Sequence, residues 1–268
     1  MGLLLDHGVD PGIFGREGQS MLALAVALDR PEVVAMLADH GADIDARVAS
    51  PALDAFADLF TTRFARFYLT KDRGMTPLML AVLRGRQDTV RVLLERNARQ
   101  DTPTGEHGTW PIGLAAYRQD VPMMQLLLGR EPDPAKQRRR IMVSLADQTA
   151  ALYVDGKMSL KTRVSTGRKG YETPPGKYVI TNKYRHWTST LYDAPMPHFM
   201  RLNAGAIGLH EGVVPRHPAS HGCIRVPRGT ARRLFASTRV GDPVTIVEGS
   251  LATAEATYFS SVDEPTLD

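Results

Sequence analysis

The chain has 268 residues, 43% hydrophobic and 23% charged, a composition that excludes wholesale disorder and has room for one or two domains with real cores. Its 33 basic residues are offset by 29 acidic ones, a net charge of +4, and no basic tail marks a nucleic-acid partner. No apolar run is long enough to span a membrane, and Met1-Gly2-Leu3-Leu4-Leu5 meets Asp6 and His7 before a signal-peptide core can form.

An internal repeat comes first along the chain. Asp6-His7-Gly8-Val9-Asp10 returns as Asp39-His40-Gly41-Ala42-Asp43 at an offset of 33 residues, the ankyrin period. Three starts, Gly18-Gln19-Ser20-Met21-Leu22, Gly74-Met75-Thr76-Pro77-Leu78 and Gly108-Thr109-Trp110-Pro111-Ile112, resemble the ankyrin G-x-T-P-L pattern. Apolar stretches around Val33–Leu37, Val90–Leu94 and Met123–Leu128 predict the second helix of each repeat, whose apolar face is covered only by a neighbouring repeat. The first two starts lie 56 residues apart, so about 23 residues around Ala46 to Thr70 are inserted, and an insertion is expected on the loop face. The chain opens at the end of a repeat, on Leu3-Leu4-Leu5, so the N-terminal repeat is expected to be incomplete and to continue upstream.

Glu131-Pro132-Asp133-Pro134 stops the helical pattern, and Lys136-Gln137-Arg138-Arg139-Arg140 reads as a solvated basic linker. We expect a helical repeat domain over 1–135, a linker over 136–140, a second domain over 141–249 and a flexible tail over 250–268. The second domain reads as mainly sheet, with strand-like runs at Ile141–Leu145, Ala151–Val154, Thr162–Ser165, Lys177–Thr181 and Pro243–Val247, and a helix over Thr230–Ser237. The fold class expected is α+β in two domains, an all-α solenoid followed by a mainly β unit.

The chemistry concentrates in Gly208-Leu209-His210-Glu211-Gly212 and Pro218-Ala219-Ser220-His221-Gly222-Cys223-Ile224-Arg225. Cys223 is the only cysteine, which excludes an internal disulfide and leaves the redox compartment open. A free thiol titrates near ~8.5, so a nucleophilic cysteine needs a base or cation nearby; His210, His221 and Arg225 supply candidates. Gly222 lets backbone approach a substrate carbonyl, where amide N–H groups hold a tetrahedral oxyanion. These parts suit acyl transfer.

The segment resembles the signature of the L,D-transpeptidase family, a histidine followed by Ser-His-Gly-Cys, here His210 and Ser220-His221-Gly222-Cys223. The resemblance extends over about Arg140 to Gly249, through Val164-Ser165-Thr166-Gly167, the Thr173-Pro174-Pro175-Gly176 turn and Ala194-Pro195-Met196-Pro197. It implies that Cys223 attacks the L,D peptide bond of a peptidoglycan tetrapeptide stem, expels D-alanine and passes the acyl group to an amine, with His210 as base. It further implies that Glu211 orients the His210 ring, that His221 and Gly222 shape the oxyanion site, and that Ser220, Arg225 and Met196 bind or orient substrate. It implies no metal and no cofactor, and a place in the bacterial periplasm or cell wall. Arg225 stands where many members carry Asn, and the interval from His210 to Ser220 is short, features shared by a subgroup.

Other readings of the same residues stay open. A lone cysteine can be a small buried hydrophobe. His210, His217, His221 and Cys223 could hold zinc, although they lack a compact ligand pair. His217 reads as a loop residue, His186 and Trp187 as lining a cleft or capping a sheet edge, and Thr173–Gly176 as a structural turn. Three functions follow: a transpeptidase, a hydrolase (L,D-carboxypeptidase) using the same acyl-enzyme, or an ankyrin scaffold with an inactive second domain. The repeats are expected to bind a protein partner on their loop face.

Overall fold

The structure, a computed structural model, describes residues 10–12, 15, 19–132, 137–203 and 205–262, with side chains up to Ala256 in the last helix. The first repeat signal, apart from Asp10, and Gly18 lie outside these residues. The chain divides into two compact units, Met1–Leu127 and Leu128–Asp268.

The first unit is built from helix pairs: α1 (Met21–Ala27) with α2 (Pro31–Asp39), α5 (Pro77–Arg84) with α6 (Gln87–Glu95), and α7 (Pro111–Tyr117) with α8 (Val121–Leu127). The repeat start dictates the helix start. Thr76 caps α5 through a bond from the Met79 amide (3.4 Å), Pro77 fills the first turn where no amide donor is needed, and Gly85 ends the helix at φ +71°. Ser20 caps α1 in the same way, accepting from Ala23 at 3.1 Å. First helices pack on first helices, α1 on α5 and α5 on α7, and second helices on second helices, α2 on α6 and α6 on α8. This buries Leu22, Val34, Leu78, Leu80, Val90, Leu93 and Leu114 almost completely.

The inserted stretch, expected on the loop face, forms helices of its own. It holds two helices, α3 (Asp54–Ala57) and α4 (Arg63–Lys71), that bury Phe56, Phe60, Ala65 and Leu69 at 1% exposure each. Phe56 on α3 and Phe60 just beyond it meet with ring centroids 5.8 Å apart and give the insertion an apolar anchor of its own.

Among the described residues the second unit is an eight-stranded sheet with two helices. Its strands are β1 (Arg139–Ser144), β2 (Thr149–Val154), β3 (Lys157–Arg163), β4 (Gly176–Tyr184), β5 (Phe199–Leu202), β6 (Gly208–Glu211), β7 (Ile224–Val226) and β8 (Pro243–Val247). Their order is β3-β2-β1-β8-β4-β5-β6-β7, with β1/β8 and β6/β7 parallel and the other pairs antiparallel. Helix α9 (Arg228–Ser237) packs on β6 and helix α10 (Leu251–Val262) on β1.

Two expectations change here. The end of the basic run is not linker: Arg139 and Arg140 open β1 opposite Val154 and Tyr153, while Arg138 pairs with Asp155 across the hairpin. The expected flexible tail is helical over Leu251–Val262, because Leu251 is buried at 1% exposure and Glu255 accepts a hydrogen bond from the Tyr153 hydroxyl. Strands β5, β6 and β7, which carry the site, were not anticipated as strands. They are only four, four and three residues long, too short for their alternation to stand out.

Candidate active site

Strand alternation sorts the short strands into two faces. Met200, Leu202, Leu209, Ile224 and Val226 point into the apolar core. The alternate positions, Phe199, Arg201, His210 and Arg225, together with Cys223 just ahead of β7, line a cleft of about 530 Å³. In the parallel pairing of β6 with β7, His210 lies opposite Arg225. A one-residue slip would send these side chains into the core, so the apolar partners hold the polar ones in place.

The loop that presents Cys223 is held from both sides. On the flank away from β6, Ser165 exchanges backbone bonds with Arg225 (3.0 and 2.9 Å), and the Thr166 carbonyl accepts from both Ala219 and Ser220 (3.0 Å each). Thr173, 2% exposed, accepts from the Gly167 amide at 2.8 Å and donates to the Gly222 carbonyl at 2.7 Å. Ser220, 1% exposed, accepts from the Gly222 amide at 3.1 Å and donates to the Cys223 carbonyl. Gly222 itself stands at φ +108°, where a side chain is strained. Ser220 therefore braces the turn, and the Gly222 amide, offered by the sequence as an oxyanion donor, is already engaged. The Cys223 amide donates to no acceptor among the described residues.

His210 is 8% exposed, and its Nδ1 lies 2.7 Å from the carbonyl oxygen of Glu211. Nδ1–H donates there, which leaves the Nε2 lone pair free as a base. The orienting group is thus the Glu211 backbone, while its carboxylate turns away to His198 Nδ1 (3.3 Å) and Arg228 Nε (3.6 Å). Burial pushes His210 below the ordinary imidazole range; the bond to Glu211 opposes this and the Arg225 charge reinforces it. Burial also pushes the Cys223 thiol up, against the Gly208 amide that donates to it and the Arg225 charge. Both shifts favour a neutral imidazole and a neutral thiol in the resting site, where the Cys223 thiol donates to the Ala206 carbonyl at 3.7 Å. The depressed thiol that the sequence motif called for is not found, because desolvation outweighs both stabilising groups.

His221 is exposed and faces the rim. Its Nε2 accepts from Arg168 at 2.8 Å, its ring stacks on Tyr192 at 4.6 Å, and Tyr171 meets it edge-on at 4.8 Å. Only its backbone belongs to the cysteine turn. Met196 lines the cleft at the base of a hairpin, its amide bonded to the Trp187 carbonyl at 2.7 Å. That hairpin is closed by Thr188 pairing with Pro195, and it carries Leu191 and Tyr192 to the rim. Trp187 lines the cleft; His186 and His217 do not, and His217 is exposed on the loop with its carbonyl accepting from Ser165 Oγ at 2.9 Å. Sequence reasoning missed Arg168, Tyr171, Tyr192 and Arg201, which come from separate segments and share no motif with Cys223. No group of three or more metal-binding side chains occurs among the described residues.

The comparisons bear on the same segment. Residues 138–246 match the L,D-transpeptidase catalytic domain. Residues 52–138 match ankyrin repeats in three copies. Among solved structures, the chain is similar to an L,D-transpeptidase from Stackebrandtia nassauensis (30% identity, TM-score 0.41, covering 44% of this chain and 60% of that one). It is also similar to a mutant L,D-transpeptidase of Enterococcus faecium (27%, TM-score 0.40, 44% and 53%). A third is the L,D-transpeptidase from Mycobacterium smegmatis (21%, TM-score 0.40, 41% and 58%). The chain thus spans less than two thirds of these relatives, and no curated protein matches it. The L,D-transpeptidase match covers every strand of the second unit from β1 to β8 save the last residue of β8, and with them the whole cleft.

Proposed function

We propose that this protein is a cysteine-dependent L,D-transpeptidase acting on peptidoglycan tetrapeptide stems. The observation that carries the reading is the His210–Cys223 arrangement: both line one cleft, His210 on β6 and Cys223 just ahead of the neighbouring β7, and the Glu211 carbonyl leaves His210 Nε2 unprotonated. His210 takes the Cys223 proton as sulfur attacks the carbonyl carbon of the scissile bond. The Cys223 amide donates to the developing oxyanion. The carbon–nitrogen bond then breaks, the imidazolium returns its proton to the departing D-alanine amine, and a thioester remains. An amine acceptor loses its proton to His210, attacks the thioester and restores the thiol. The raised thiol and lowered imidazole make His210 a general base rather than the partner of a resting thiolate.

The cleft residues belong wholly to the second unit, so we assign catalysis to 141–249 and partner binding to the stacked helix pairs before it, read as an ankyrin solenoid over 1–135. The partner surface we assign is the loop face of the repeats, where the insertion around Ala46 to Thr70 lies. The family reading places the protein at the bacterial cell envelope; no helix among the described residues is long and apolar enough to cross a membrane. Product analysis with a tetrapeptide donor and an amine acceptor tests the proposal. D-alanine release with a new cross-link supports transfer, tripeptide alone makes the enzyme a hydrolase, and no turnover refutes catalysis.

A further inference from the structure

Arg201 lines the cleft from β5 in an unusual state. Its guanidinium lies over the rings of Trp187 (5.4 Å to the centroid) and Phe199 (6.0 Å), and its Nε is buried with no hydrogen-bond partner. No carboxylate among the described residues pairs with it. The one acid lining the cleft, Glu211, is already engaged by His198 and Arg228. A buried donor left unpaired is costly, and a guanidinium held over aromatic rings presents its fork to a planar two-oxygen anion.

Its position relative to the thiol is set by register. Arg201 pairs with Gly208, and the parallel register of β6 and β7, with Leu209 opposite Ile224, puts Gly208 opposite Cys223. Two strand spacings, about 10 Å of backbone, therefore separate Arg201 from Cys223. In a peptide cleaved one residue from its end, the terminal carboxylate lies about 4 Å beyond the attacked carbonyl, one residue's length. A donor laid across β6 toward β5, with its carbonyl at the sulfur, puts that carboxylate between Cys223 and the Arg201 side chain. Arg225, also in the cleft without an acidic partner among the described residues, lies two residues beyond Cys223 and opposite His210, across β6 from Arg201, and adds positive field on the Cys223 side.

We propose that Arg201, held on the Trp187 and Phe199 rings, binds the terminal carboxylate of the acyl-donor peptide and so selects donors ending in a free acid. This rests on the transpeptidase reading for its substrate, but the carboxylate site is testable without turnover. N-acetyl-D-alanine and its carboxamide are titrated into the full-length protein while the Trp187 indole N–H resonance is followed, assigned by its loss in Trp187→Phe. The acid should bind at least about tenfold more tightly than the amide, the scale of one charge-assisted bond pair. Arg201→Gln should erase that preference, and Arg201→Lys, which keeps the charge but not the fork, should keep part of it. In turnover, kcat/KM for a tetrapeptide acid should exceed that for its terminal amide by about 10- to 100-fold in wild type, and the two should become equal in Arg201→Gln through loss on the acid alone. Equal binding of acid and amide by wild type overturns the proposal, as does a preference that survives in Arg201→Gln. If Arg201→Gln does not fold, the Arg201→Lys titration decides: an undiminished preference refutes a forked grip. Acid-selective binding without turnover of either donor would leave the carboxylate site standing and remove the transpeptidase reading instead.

Discussion

Thr173→Val should be the most damaging single-atom-scale change away from the cleft. The two side chains have the same shape, so the substitution removes one hydroxyl and leaves the Gly167 amide and the Gly222 carbonyl unpaired. Water has little room to replace it, since Thr173 is 2% exposed and a Cβ at Gly167 would lie 1.9 Å from the Tyr171 carbonyl oxygen. An orphaned buried group costs about 1–3 kcal/mol, so the pair costs about 2–6 kcal/mol. For a unit of this size that is a fall in Tm of roughly 6–24 °C, read by near-ultraviolet circular dichroism of the second unit's transition. The Cys223 turn hangs on the same hydroxyl, so the rate of Cys223 acylation should fall at temperatures where the variant is still folded. Thr173→Ser should restore most of both. A Thr173→Val protein with wild-type Tm and acylation rate would refute the claim that this bond holds the nucleophile.

Ser220→Ala removes the bracket between Gly222 and Cys223 and should cost about 1–3 kcal/mol with a 10- to 100-fold loss of kcat, measured by unfolding and single-turnover assay. Because His210 is lowered in the folded state, the unfolded chain takes up its proton first, so stability present above about pH 6.5 is lost as pH falls through that value. Cys223 is raised, so its contribution is lost as pH rises above about 8.5, and Cys223→Ala should flatten that alkaline decline in a stability–pH curve. Arg225 lowers both groups, so Arg225→Gln should move both titrations upward, followed by His210 ring NMR and by the pH midpoint of iodoacetamide alkylation. Removing residues 1–127 should leave acyl transfer by the second unit unchanged; a loss of more than tenfold would make the repeats part of the catalytic machinery.

The sequence carried much of this in two signals of different kind. Repeat starts such as Thr76-Pro77 are local capping chemistry, and local chemistry survives into structure. Ser220 to Cys223 is likewise contiguous, so the cysteine turn and its histidine were legible as chemistry. What was not legible depends on contacts across the chain. Arg201 reads as an ordinary strand arginine until β5 pairs with β6 and Trp187 arrives beneath it. Thr173 reads as part of a turn until its hydroxyl is seen on Gly222, 49 residues away. The thiol was misjudged because a motif lists neighbours that lower a pKa but not the burial that raises it. The helices of the insertion and of the C-terminal segment were missed because the polar residues around Phe56, Phe60 and Leu251 masked their apolar anchors.

The central claim is that Cys223 forms an acyl-enzyme with His210 as its base. Intact-protein mass spectrometry after mixing with a tetrapeptide donor, followed by peptide mapping, reads it directly. A thioester on the Cys223 peptide with loss of the terminal amino acid is expected, absent in Cys223→Ala and formed roughly 10²- to 10⁴-fold more slowly in His210→Gln. No adduct on the wild-type protein, or an adduct that persists in Cys223→Ala, would contradict it.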